Sequence, residues 1–171
     1  ADSVKRARAM SWIPDLYRQL SLFERSLQEH MKLRTHLDSL RDTVGLTRSS
    51  YELGTLFYDQ ENYIQAIDYV KESLAFAELT GDTSGILSCY SALGANYRKK
   101  GELDQSLRYN QMVLDIAPIS TIRGPEMLMA YADMNMGTVL LSMNEVDRAK
   151  SHLESSIKRF RKLGYKQGLV G

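Results

Sequence analysis

Apolar side chains fall along this chain in a rhythm that returns about every forty residues. When Gly54, Gly94 and Gly137 are aligned, with Pro14 in the corresponding place of a first copy, the spacings are 40, 40 and 43 residues. One residue before this column stand Ile13, Leu53, Leu93 and Met136, and three after it Tyr17, Phe57, Tyr97 and Leu140. These offsets put large apolar groups on one face of a helix. Nine residues after the column come Phe23, Tyr63, Leu103 and Val146, followed three later by Ser26, Ala66, Ser106 and Ala149. That big-then-small pattern predicts a second helix, and Ser21, Glu61, Gly101 and Asn144 between the two predict a tight turn. Each copy therefore reads as helix, turn, helix, and self-similarity at this period is the signature of a stacked repeat protein.

Glycine inside a helix costs about 0.8–1 kcal/mol relative to alanine, so three of them in one register need a compensating contact. The expected contact is a neighbouring helix, with the Ala/Ser column on its other side and Phe23, Tyr63, Leu103 and Val146 filling the gap beside it. Pro14 lacks a donor N–H and predicts that the first helix kinks or restarts near Ser11 to Asp15. Asp42 and Asp82 are expected to cap the helices they precede, and Ser21 with Glu24 and Asn144 with Asp147 have capping-box spacing. The basic cluster Lys158, Arg159, Arg161 and Lys162 before Gly164 suits a solvated helix C-terminus. The longer connector in PISTIRGP is expected to change the angle of the fourth copy.

This pattern resembles the tetratricopeptide repeat, whose signature is leucine-glycine, an aromatic three later, a turn, an aromatic and a small residue. Leu53-Gly54, Phe57, Tyr63 and Ala66 match it, as do Leu93-Gly94, Tyr97, Gly101 and Ser106, and Pro118 falls where the family often ends a helix. The period is longer than the family's usual 34, and HEAT repeats share it, but the leucine-glycine-aromatic order argues against them. The resemblance implies an all-α, right-handed alpha-alpha superhelix, a solenoid of antiparallel helix pairs. It would form a single domain over 1–171 with repeats at about 1–40, 41–80, 81–123 and 124–163 and a fifth opening at 164–171. It also implies a fragment of a longer protein, of the kind found in bacterial regulatory and signalling proteins.

Composition narrows the function. Twenty-two basic against 21 acidic residues leave a net charge of +1, which supplies no field for a nucleic acid backbone or an anionic membrane. No apolar run reaches the roughly 18 residues needed to span a bilayer. The single Cys89 rules out an internal disulfide framework and favours a reducing, cytoplasmic compartment, with the periplasm left open. Cys89 shares its register with Ser49 and Ala132 and reads as a small packing residue. His30 and His36 are six apart, off the spacing of a helical metal pair, and His152 lies far away. His30 shares a register with Val70, Asn110 and Leu153 and is expected to be half-buried. No phosphate loop, nucleophile elbow or zinc motif is present, so no enzyme, cofactor or metal is expected.

What remains is binding. The family's groove positions fall at six and three before the column and at one, four and five after it. They carry Arg8, Ser11, Asp15, Arg18 and Gln19 in the first copy and Arg48, Tyr51, Thr55, Tyr58 and Asp59 in the second. Ser88, Ser91, Ala95, Arg98 and Lys99 follow, then Tyr131, Met134, Thr138, Leu141 and Ser142. Arg48, Tyr51, Tyr58, Arg98, Lys99, Tyr131 and Met134 are the candidate partner-binding residues, suited to pairing with carboxylates and to apolar contact. Lys71 and Glu72 are expected to face outward. The family's clamp for chaperone tails is missing, since Ser11, Asp15, Thr55, Ser88 and Ala92 occupy its places. Its asparagine ladder is missing too, at Thr55, Ala95 and Thr138. The expectation is a protein- or peptide-binding scaffold in a larger regulatory protein, or alternatively a free-standing assembly or co-chaperone adaptor. Self-association through terminal repeats is a further possibility for its partners.

Overall fold

The computed structural model describes residues 11–120 and 124–164. They form eight α-helices: α1 (Trp12–Gln19), α2 (Phe23–Ser39), α3 (Thr43–Asp59), α4 (Tyr63–Thr80), α5 (Thr83–Lys100), α6 (Leu103–Ile116), α7 (Glu126–Ser142) and α8 (Val146–Lys162). A 3-10 turn, Ala117–Ile119, follows α6 and contains Pro118. The all-α expectation holds, and each copy is a helix pair. Arg8, all but Gly164 of the fifth repeat at 164–171, and the centre of the PISTIRGP connector lie outside the described residues. The chain divides into two compact units, Ala1–Gly85 and Ile86–Gly171.

The tight turns, unlike the connector after α6, close the same way. Ser21, Arg41, Glu61 and Asn144 have φ between 51° and 61°, and Gly81, Gly101, Gly124 and Gly164 are also left-handed. At Glu61, the amide donates to the Tyr58 carbonyl at 2.9 Å, and the next amide, of Asn62, donates to Phe57 at 2.9 Å. This paired closure, in which a left-handed residue lets the chain satisfy the last carbonyls of the helix, is the Schellman pattern. It explains why two capping boxes fail to form. Ser21 and Asn144 are taken up by the turn, so the N-caps of α2 and α8 are Leu22 and Glu145, without side-chain caps. Asp42 and Asp82 do cap, accepting from the Gly45 and Gly85 amides at 3.1 and 3.0 Å. Pro14 sits in the first turn of α1, where no intrahelical N–H partner is required, so the helix starts at Trp12.

The glycine column marks close approach, as expected. A Cβ on Gly54 would lie 2.5 Å from Val70 Cγ2 and 3.2 Å from the Ala66 carbonyl oxygen. One on Gly137 would meet Leu153 at 2.6 Å and the Ala149 carbonyl oxygen at 3.2 Å, and one on Gly94 would strike Asn110. The aromatics three after the column stack on the opposite helix, Phe57 on Tyr69 at 5.4 Å and Tyr97 on Tyr109 at 5.5 Å. Val146 departs from the expected gap-filling role because it lies at the exposed start of α8.

Serine hydroxyls bind the hairpins in an alternating pattern. In the first and third copies the serine beside the column donates to the column's own carbonyl, Ser26 to Pro14 and Ser106 to Gly94, both at 2.8 Å. In the second and fourth copies that place is alanine, and a serine seven residues later donates to the carbonyl seven before the column. These bonds are Ser73 to Thr47 at 2.7 Å and Ser156 to Ala130 at 2.8 Å. All four serines are buried, where a hydroxyl without a partner would be costly. Each unit thus contains one pair of unlike repeats.

Candidate partner-binding surface

In unit one the candidate residues lie on α3, with Asp15 and Arg18 on α1 beside them in register. Arg18 is held on both sides by carboxylates. Its Nε and Nη2 donate to Asp15 Oδ1 at 3.1 and 2.7 Å, and its Nη1 donates to Asp59 Oδ2 at 2.5 Å. The bond from Arg18 holds the Asp15 carboxyl below its usual range. Arg48 donates through Nε to Glu52 Oε1 at 2.7 Å. Burial raises the Glu52 pKa, which Arg48 opposes. Tyr58 is half-buried and packs edge-on against Tyr63 at 5.7 Å, and Tyr51 is half-buried one helical turn after Arg48.

In unit two, Arg98 and Lys99 stand in the last turn of α5, Arg98 half-buried and Lys99 exposed. The Arg98 Nε is closed off from solvent and has no acceptor among the described residues. Tyr131 and Met134 lie on α7 and are 40% and 37% exposed, with Leu141 of the same stripe at 50%. Tyr131 rests edge-on against Phe160 of α8 at 5.3 Å. Helix α7 carries large apolar side chains on its exposed face as well as on its buried one, so this stripe meets water.

Three expectations are corrected on the opposite faces. Glu72 is half-buried rather than fully outward. It pairs with Arg34 of α2, accepts from Ser50 at 3.0 Å, and has its carboxyl held low by Arg34. Of the basic cluster at the end of α8, Lys158, Arg161 and Lys162 are exposed as expected, and only Arg159 is drawn in. Arg159 Nε donates to Asp133 Oδ2 at 2.9 Å, His152 Nδ1 lies 2.9 Å from Asp133 Oδ1, and Lys162 reaches Glu126 at 3.1 Å. His30 is fully buried rather than half-buried, because its register packs directly against the column. Neither of its ring nitrogens has a partner in the described structure, and burial lowers its pKa to about 4.

The Asp133 pairing had one readable sign, a lone carboxylate within the apolar run MLMAYADMNM. The Arg34–Glu72 pair had none, since 38 residues separate its members. Cys89 is buried as a small packing residue. Among the described residues no group of three or more His, Cys, Asp or Glu is placed to hold a metal, and no helix is long and apolar enough to cross a membrane.

The tetratricopeptide repeat family model matches residues 45–119. No curated protein matches the sequence. Among solved structures, BtubC (BKLC) from P. vanneervenii is similar at 14% identity and a TM-score of 0.80, over 94% of this chain and 65% of that one. The apo form of RapI is similar at 16% identity and a TM-score of 0.79, over 91% of this chain and 43% of that one. A kinesin light chain protein of nearly identical TPR-like repeats from Podosopora anserina follows at 13% identity and a TM-score of 0.70, over 92% of this chain and 76% of that one. The chain therefore spans less than two thirds of the length of the first two. At such identities the likeness establishes the fold. Tetratricopeptide repeats generally act as scaffolds for protein–protein interaction.

Proposed function

We propose that this chain, whose residues 45–119 match the tetratricopeptide repeat family model, is the peptide- or protein-docking segment of a larger regulatory or signalling protein. Each unit offers a candidate surface of its own on its first helices, Arg48, Tyr51 and Tyr58 in unit one and Arg98, Lys99, Tyr131 and Met134 in unit two. The observation that carries this reading is the exposed stripe of Tyr131, Met134 and Leu141 on a helix most of whose other apolar residues are buried. Stacked helical repeats engage partners through extended surfaces of this kind, and aromatic, methionine and arginine side chains are enriched at the cores of interfaces.

Met134→Glu combined with Leu141→Glu places two charges on the stripe without touching the buried side of α7. In the full chain this variant should lose partner capture while its circular dichroism and melting temperature stay within experimental scatter. Lys158→Glu with Arg161→Glu, on the exposed side of α8, serves as the control. Capture that survives the first variant and disappears with the second would move the docking surface to α8.

A further inference from the structure

One arginine on the candidate surface lacks the acid that its counterpart has. In the first and third copies an arginine stands four residues after the column, Arg18 and Arg98. Arg18 is engaged within its own unit by Asp15, one after the column of its own repeat, and by Asp59, five after the column of the next. The corresponding positions around Arg98 are Ala95 and Ser142. Both carboxylates are gone while the arginine remains. Arg48 offers no vacancy of this kind, because Glu52 of its own helix holds it. A guanidinium cannot shed its charge by deprotonating, and none of the described residues gives Arg98 a carboxylate, so an acid from elsewhere can meet this half-buried side chain on the part open to solvent, its Nε being closed off.

Resting on the docking function proposed above, we infer that Arg98 is the seat for an acidic side chain of the partner. The partner is a peptide segment that sets an aspartate or glutamate carboxylate against Arg98, with Lys99 adding positive charge, and carries leucine-like side chains for the Tyr131–Met134–Leu141 stripe. Charge complementarity selects this occupant. The same register in unit one is filled by two carboxylates of the chain itself, and in unit two that task passes to the ligand. Arginine suits it because its planar fork meets a carboxylate with two parallel hydrogen bonds.

The test uses short fluorescein-labelled peptides in which leucine alternates with aspartate, asparagine or phosphoserine, titrated into the full chain and followed by anisotropy. The aspartate peptide should bind at least about tenfold tighter than its asparagine isostere, an advantage that shrinks as salt rises. Arg98→Gln should remove that advantage, and Arg48→Gln should leave it. Ser142→Asp should also remove it, by supplying from the chain the carboxylate that Asp59 supplies to Arg18. This exposed position keeps the test open even where Arg98→Gln disturbs folding. An acid preference that persists in both Arg98→Gln and Ser142→Asp overturns the inference, as does selective binding of the phosphoserine peptide. Equal binding of aspartate and asparagine peptides, abolished by Met134→Glu, overturns the inference and leaves the docking surface standing. Failure of all three peptides to bind counts against both.

Discussion

The two units repeat the same hairpin architecture and differ in where they keep their charges. Both join a repeat with serine beside the column to a repeat with serine farther along, and both stack an aromatic from the first helix on an aromatic of the second. In unit one the buried-side ion pair links hairpins, Arg34 of α2 to Glu72 of α4. In unit two it closes a single hairpin, Asp133 of α7 to Arg159 and His152 of α8. On the face of the first helices unit one satisfies its arginines internally, whereas unit two leaves Arg98 without a carboxylate among the described residues. The serine and glycine columns are therefore the conditions for stacking, and the charges are free to differ because each ion pair needs only some partner within reach.

The largest difference between the units should come from their ion pairs. Asp133 is 5% exposed as a side chain, so Arg159→Met leaves a buried carboxylate with only His152 beside it and should cost about 3 kcal/mol in urea unfolding. Arg34→Met leaves Glu72, which is 34% exposed and can turn to water, and should cost no more than about 1 kcal/mol. Equal losses would mean that the two pairs do the same work.

Next comes a pH effect confined to unit one. His30 titrates near 4 when folded and near 6.5 when unfolded, so the unfolded chain binds more protons between those values. The contribution is fully present above about pH 6.5 and disappears as the pH falls towards 4, on the order of 3 kcal/mol. Asp15 and Arg18 act on the ring with opposite signs and do not remove the trend. His30→Asn copies Asn110, the residue of the same register in unit two, and should flatten the stability profile between pH 4 and 6.5. A slope unchanged in this variant assigns the acid sensitivity to other groups.

Overpacking the column should affect the two units alike. Gly54→Leu meets Val70 and Gly94→Leu meets Asn110, and either should destabilise by about 2 kcal/mol, slightly offset by better helix propensity. Adding Val70→Ala should recover part of the first loss. A melting temperature unmoved by either glycine substitution would contradict the close approach. The smallest effect is a gain: Glu61→Gly relieves a left-handed turn residue and should stabilise unit one by about 0.5–1 kcal/mol, while unit two already has Gly101 in that place.

The periodic features of this chain were legible without coordinates. Leu53-Gly54 and Leu93-Gly94, the turn residues at Glu61 and Gly101, and the caps at Asp42 and Asp82 recur in register, because helix spacing and turn geometry are local constraints that each copy meets separately. The column's role as a contact with the second helix followed from the cost of glycine alone. The candidate surface was legible as a set of positions, but the state of its charges was not. Whether Arg18 is held, Arg98 left open, or Glu72 paired depends on which residues the neighbouring helix brings within about 3 Å, the reach of a hydrogen bond. Burial of His30 belongs to the same class, since it is set by the packing of α2 on its neighbours and not by the residues adjoining it in sequence. Local repetition thus determined the scaffold, and only tertiary packing decided which of its polar groups are already satisfied and which await a partner.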